Sequence, residues 1–371
     1  MTPTLWVATR KGLFHLSAAD GWRVGPPSFL GDPVSMVLDD ARDGAVYAAL
    51  QLGHFGSKLH RSDDRGATWT EVAVPSYAGL PDIARPNGPG GATAAAEPPS
   101  LKLLWALEAG GVAQPGRLWA GTIPGGLFRS DDRGASWTIC RSLWDHPSRA
   151  KWFGGGYDWP GIHSVLVDPR DARRLVLGVS CGGAWGSDDD GATWSQRSAG
   201  MRATFMPPDL QGDPDVQDPH LLVRCAAAPD VLWTQHHCGI FRSRDNGRSW
   251  DEITAARPSN FGFAVAVHPT APDTAWFAPA VKDERRVPVD GRLVVSRTRD
   301  GGATFDVLDR GLPAPAYDLV YRHGLAVDGT GTTLALGSTT GGLWLSSDGG
   351  DSWTALSTQL PPIYALRFGT A

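Results

Sequence analysis

The octet "SDDRGASW" at residue 130 is nearly repeated as "SDDRGATW" at 62 and "SDDDGATW" at 187, with looser copies "SRDNGRSW" at 243, "TRDGGATF" at 298 and "SSDGGDSW" at 346. All six read Ser/Thr, any, Asp, any, Gly, any, Ser/Thr, aromatic. A chain that spells one local structure six times is a repeat architecture, which limits its fold more than any bulk property. The residues suit a tight hairpin turn. Asp accepts hydrogen bonds from backbone N–H groups just after it, Gly two positions later takes φ > 0 without steric cost, and the hydroxyls add local bonds. The closing Trp69, Trp137, Trp194, Trp250 and Trp353, with Phe305 in the fifth copy, then open a strand with a large apolar body to bury. Asp64, Asp132, Asp189, Asp245, Asp300 and Asp348 are therefore expected to build turns, not to perform chemistry.

A longer unit surrounds each octet. "RLWAGT" at 117 precedes "GGLFRS", "RRLVLGVS" at 173 precedes "GGAWGS", and "TLALGS" at 333 precedes "GGLWLS"; one step earlier lie apolar runs such as "IHSVLVDPRD" at 162 and "FAVAVHPTAPD" at 263. The pattern predicts four short strands per unit and no convincing helix. The octets start 68, 57, 56, 55 and 48 residues apart, near the period of a four-stranded propeller blade. At the N-terminus, "LWVATRKGLFHLSAADGW" at 5 matches "LWAGTIPGGLFRSDDRGASW" at 118 with a shortened turn, and "PPIYALRF" at 361 supplies the strand it lacks. Residues 4–26 and 361–369 are thus predicted to form blade 1 of one all-β, seven-bladed propeller domain over 1–371. Its blades are four-stranded and antiparallel, and the C-terminal strand closes the ring without an open sheet edge.

These octets resemble the Asp-box, or BNR, repeats of sialidase-like and related glycoside-hydrolase propellers, sortilin-type receptors and a photosystem II assembly factor. The resemblance covers essentially the whole chain and implies the fold; enzymes, receptors and assembly factors share the repeat, so activity must be argued from a site. Charged residues at 20%, hydrophobic ones at 42% and a net charge of -5 describe an ordinary globular chain with no basic stretch to neutralise nucleic-acid phosphates. The start "MTPTLWVATRKGLF" lacks a basic segment and a long apolar run, so a cytoplasmic protein with no membrane partner is expected. Cys140, Cys181, Cys225 and Cys238 have no CxxC spacing and are expected to be reduced packing residues.

With strands A to D counted outward from the axis, the octet is the C–D turn. The D–A and B–C loops then share the opposite face, where the insertions 75–101, 141–161, 197–221 and 281–291 gather and a small-molecule or glycan ligand is expected. The 141–161 loop combines Trp144, Trp152, Phe153, Tyr157 and Trp159 with Asp145, His146, Arg149, Lys151 and Asp158, suited to stacking a sugar ring. His163 and His323 each stand five residues before the Asp ending strand A (Asp168, Asp328), which places them near the channel mouth. His54 and the pair His236/His237 fall in B–C loops of the same face. His163 with His237, from neighbouring blades, forms the expected catalytic pair and a candidate site for a divalent metal, with Asp158 beside them as acid, base or orienting carboxylate. Trp152, Tyr157, Trp159, His54 and His323 are expected to contact substrate.

The resemblance to sialidases implies further residues. Their Phe/Tyr-Arg-Ile-Pro motif is absent, "IARPNG" around Arg85 being the nearest approach, so true sialidase activity is not expected. The sialidase-like tyrosine would be Tyr364, and Arg224 and Arg322, placed at inner-strand starts, would build a carboxylate-binding cluster. The expected function is a propeller enzyme, hydrolytic or lyase-like, acting on a small polar or carbohydrate-like compound; the alternative is a non-catalytic propeller that binds a ligand or protein. Oligomeric state is left open.

Overall fold

A computed structural model of the chain describes residues 2–84 and 95–370; Arg85 and the middle of the 75–101 insertion lie outside the described residues. Seven antiparallel sheets are arranged as blades. Inner strands Val34–Asp39, Leu103–Ala109, Gly161–Val167, Pro219–Arg224, Gly262–Val267, Leu325–Val327 and Ile363–Thr370 each contact the next, and the last contacts the first, so the ring closes around a central channel. Ile363–Thr370 pairs antiparallel with Pro3–Thr9, joining both ends of the chain in blade 1. That blade has three regular strands rather than four. A 3-10 turn, Ala18–Asp20, replaces the octet, and the outer strand shrinks to one bridge in which Leu13 and Ser28 exchange two 2.9 Å backbone hydrogen bonds.

Second strands such as Leu118–Ile123 and Leu175–Ser180 are buried at every position. Neighbouring blades cover both faces of each sheet, so these strands read as continuous apolar runs instead of alternating. Tyr47, Trp119, Trp233 and Trp276 all hold the second position of such a strand and are fully buried. Two of them tie blades together through their polar edges: Trp233 Nε1–H donates to Pro272 O at 3.0 Å and Trp276 Nε1–H to Gly349 O at 2.8 Å.

The octets are built alike. Ser130 Oγ–H donates to Asp132 Oδ1 (2.8 Å), and Ser130 Oγ accepts the Gly134 N–H (2.9 Å). Ser136 gives its N–H to Asp132 Oδ1 (2.8 Å) and its hydroxyl to Oδ2 (2.6 Å). Two successive residues take positive φ in each copy, for example Arg133 (60°) and Gly134 (84°), or Gly349 (70°) and Gly350 (95°). Only the second of these was legible as glycine throughout. Hydrogen bonds from the Thr68 hydroxyl and backbone hold Asp64 down at about 2, which marks a carboxylate committed to its turn.

The inner strands carry the feature that positions the site. Pairing with the second strand skips Ser35, Trp105, His163, His220 and Tyr364 in five blades, and skips Phe263 together with Ala264 in a sixth. A bulge inserts an unpaired residue and turns its side chain out of the ladder's alternation. In the seventh blade His323 holds the matching position and bridges in parallel to Ala365. One column of the repeat, Ser35, Trp105, His163, His220, Phe263, His323 and Tyr364, therefore encircles the channel near the start of each inner strand.

Candidate functional site

A cavity of about 1000 Å³ opens on the face of the D–A and B–C loops. The bulge column supplies Ser35, Trp105, His220, Phe263, His323 and Tyr364 to its wall, and the loops add Tyr157, His237, Asp283, Arg286, Tyr321 and Arg322. No octet Asp lines it, which agrees with a structural role for the octets at the other end of the blades.

Behind the wall lies Asp218, buried at 3% exposure. The turn after the second strand of blade 4 grips it: Ser180 Oγ–H and the Cys181 N–H donate to Oδ1 at 3.2 and 3.1 Å. Gly155 of the 141–161 loop passes over this grip so closely that a Cβ there would sit 2.7 Å from Cys181 Sγ and 2.8 Å from Ser180 Oγ. Oδ2 instead faces two imidazoles, His237 Nδ1 at 3.4 Å and His220 Nε2 at 3.6 Å. Burial pushes the Asp218 carboxyl up, but the two imidazoles facing Oδ2, His220 and His237, outweigh it and hold the group well below the usual carboxylate range. Burial lowers His220, whereas for His237 Asp218 overcomes burial and raises it. The His220 ring stacks on Phe263 with centroids 4.4 Å apart, and Phe205 and Phe261 flank His237 at 5.0 and 5.8 Å. An ionised carboxylate holding two imidazoles at a cavity wall can pass a proton or ligate a cation.

The Arg322 guanidinium lies 4.6 Å from the Trp105 ring centre and 5.4 Å from that of Phe263, the ring on which His220 stacks. Its Nε is buried without a hydrogen-bond partner, and among the described residues it forms no ion pair. Burial draws it below its ordinary range. A buried guanidinium between two rings at a cavity wall, with no carboxylate partner among the described residues, fits an anion.

The expected site residues divide. Arg322, His237, His323, Tyr157 and Tyr364 line the cavity. The structure groups His237 with His220 and Asp218, not with His163. His163 is fully buried below the cavity, its Nδ1 2.9 Å from Ser164 Oγ and its ring against Trp105, and burial with nearby Arg322 and His323 keeps it neutral. Asp158 is exposed in the 141–161 loop and is not among the cavity-lining residues, while His54 is exposed beside the rim residue Phe55, its ring tilted against that ring at 3.9 Å. Trp152 is fully buried against Trp185, and Trp159 packs with Leu103, Trp105 and Ile123, so both support the site from behind. The loop also folds more than expected, with a one-turn helix Arg141–Trp144 and a 3-10 turn Pro147–Lys151.

Arg224 is a correction: it ends its inner strand, Pro219–Arg224, instead of starting it, and so stands at the far end of the channel beside Asp168. Strand A of blade 5 begins earlier than its apolar run suggests because Pro219 and His220 belong to it. Asp218, His220, Trp105 and Phe263 were missed. Aligning all seven inner strands on the column of His163 and His323 would have found the last three; Asp218 carries no such signal.

Fold and site together define a seven-bladed β-propeller, nearly all strand, with a cavity of about 1000 Å³ at the channel mouth. No family model matches the chain. A probable oligoxyloglucan-reducing end-specific xyloglucanase of Neosartorya fischeri is 23% identical over 377 residues, covering 90% of this chain and 40% of that protein. The oligoxyloglucan-reducing end-specific xyloglucanase of Emericella nidulans is 25% identical over 345 residues, 88% of this chain and 34% of the enzyme. This chain thus spans well under half the length of either. Among solved structures, the GH74 xyloglucanase of Xanthomonas campestris superposes with a TM-score of 0.66 at 19% identity, over 95% of this chain and 52% of the enzyme. YCF48 of Cyanidioschyzon merolae does so with a TM-score of 0.57 at 16% identity, over 92% and 90%. The sequence relatives support a glycoside-hydrolase-like propeller, and the structural likenesses support the fold.

Proposed function

We propose that this protein is a cytoplasmic enzyme of the glycoside-hydrolase-like propeller type that acts on a small saccharide bearing a carboxylate, and that it is not a true sialidase. The observation that carries this reading is Arg322, an unpaired guanidinium facing a cavity of about 1000 Å³ with aromatic walls. Tyr157 and Tyr364 offer flat faces to a sugar ring, and Arg322, backed by Trp105 and Phe263, offers a planar fork to its acid group. Arg10, Lys102 and Arg286 add positive charge to a wall whose acidic members are Asp32 and Asp283. The Asp218–His237–His220 cluster, whose two imidazoles line the same cavity, is the group suited to supply a proton or an electrophile for bond cleavage. Four free cysteines suit a reducing compartment. The xyloglucanase relatives support carbohydrate as the substrate class.

The test is a panel of neutral and uronic-acid oligosaccharides, followed by thermal shift and product analysis. Stabilisation and cleavage confined to acidic members is the expected result; no response to any member overturns the reading. A non-catalytic propeller is the second reading, favoured by the YCF48 neighbours, single chains of matching extent, one of which was solved bound to D1 peptide. Binding of an extended peptide at the cavity without turnover of any saccharide would favour it.

A further inference from the structure

We infer that Asp218, His220 and His237 form a three-ligand site for a divalent transition ion of the zinc class, with an open coordination position facing the cavity. The inference rests on donor geometry and not on the saccharide reading.

Three facts support it. First, two of the three donor separations match those of a tetrahedral ion's ligands, and the third lies within reach. Asp218 Oδ2 is 3.4 Å from His237 Nδ1 and 3.6 Å from His220 Nε2, and all three lie within 4.8 Å of one another. Ligands about 2.1 Å from a tetrahedral ion stand roughly 3.4 Å apart. Second, Asp218 divides its oxygens: Oδ1 takes both protein donors, Ser180 Oγ–H and Cys181 N–H, and Oδ2 is left to the imidazoles. Third, the His220 tautomer is set from outside the cluster. Its Nδ1 is 2.6 Å from the carbonyl oxygen of Gly262, which can only accept, so Nδ1 carries the proton. Nε2 of the neutral ring then turns a lone pair toward Asp218 Oδ2. Two buried acceptors facing each other are unfavourable until a cation sits between them. An imidazole whose outer N–H is bound to a carbonyl is also the usual support of a metal-ligating histidine.

Two nitrogens and one oxygen favour zinc-like ions over calcium or magnesium, which take oxygen. Both imidazoles line the cavity, so water or a substrate oxygen completes the shell there.

The experiment strips the purified protein with chelator and titrates it with Co(II), then displaces Co(II) with Zn(II). The wild type should bind one equivalent with the visible absorption of a four- or five-coordinate ion. Asp218→Asn and His237→Ala should each bind more than about 100-fold more weakly, beyond the 10–100-fold typical of an outer-shell partner. His237 is 21% exposed, so its alanine variant is the one chosen to remain folded, checked by cooperative unfolding. His163→Ala and Arg322→Ala should bind the ion as the wild type does. No stoichiometric binding by the wild type overturns the inference, as does binding retained by folded His237→Ala. Ion binding kept in Arg322→Ala while acidic saccharides no longer bind would separate this site from the saccharide reading.

Discussion

Arg322 illustrates how function and stability oppose each other within one residue. A buried guanidinium with no carboxylate partner is costly to the fold, and its retention at a cavity wall points to a ligand that completes it. Arg322→Ala should therefore leave stability within about 1 kcal/mol of wild type, or raise it, while weakening an acidic saccharide at least tenfold, a loss of about 1.4 kcal/mol or more. Calorimetry and thermal unfolding on the same preparation check both halves; a marked stability loss would mean that Arg322 holds the wall together. The histidines predict a pH dependence. Burial lowers His236 to about 3, His323 to about 4, and His163 and His220 below the ordinary 6.5. In the unfolded chain each takes up a proton near pH 6.5, whereas in the native state it does not. Their contribution is thus fully present above about 6.5 and is lost as pH falls, at up to about 1.4 kcal/mol per unit for each group. His237 runs the other way, its raised value giving stability below about 6.5 that is lost as pH rises through the folded value. Burial lowers His15 and His60 as well, so six groups stand against one and the melting temperature should drop between pH 6.5 and 4.5. A flat profile over that range would overturn the assignment of neutral buried imidazoles.

At the scale of elements, the octet and the inner-strand bulge do separate jobs at opposite ends of each blade. Asp132 is exposed, and its carboxylate is lowered chiefly by the Ser136 hydroxyl, so its stability contribution exists above about pH 4 and fades as pH falls. Asp132→Ala should cost about 1 kcal/mol, the worth of a typical hydrogen bond, and leave cavity binding unchanged. Wild-type stability with lost binding would contradict the turn assignment. Gly155→Ala should act oppositely: its Cβ would press on Cys181 Sγ and Ser180 Oγ, the group that grips Asp218, so ion or ligand affinity should fall more than unfolding temperature does. Equal affinity in that variant would show that the loop yields freely. The octet was legible because eight contiguous residues carry all its bonds. The bulge was half legible: His163 and His323 were matched by their spacing to Asp168 and Asp328, but a period-two reading gives no sign that Trp105, His220 and Phe263 share their column.

For the whole molecule, the decisive joint is blade 1. Ile363–Thr370 pairs with Pro3–Thr9, while Leu366 N–H donates to His323 O at 2.8 Å and the Arg367 guanidinium pairs with Glu108 of blade 3 at 2.6 Å. Deleting residues 361–371 removes all three links, the buried Ile363 and Leu366 at about 2 kcal/mol each, and Tyr364 from the cavity wall. The truncated chain should lose about 4 kcal/mol or more and its ligand binding together; an unchanged melting temperature would refute closure by this strand. Repeat spacing was enough to determine the propeller, its seven blades and the joining of both ends, because each blade's strands and turns are encoded in consecutive residues. Only the tertiary structure decided the site. Asp218, His220 and His237 come from a loop, an inner strand and a B–C turn of one blade, and Arg322 from another; their meeting depends on bulges and ring closure that no local pattern encodes. For the same reason Trp152 and Trp159 of the 141–161 loop, which composition alone would place against a sugar, pack inward, since the ring supplies them with apolar neighbours on the protein side.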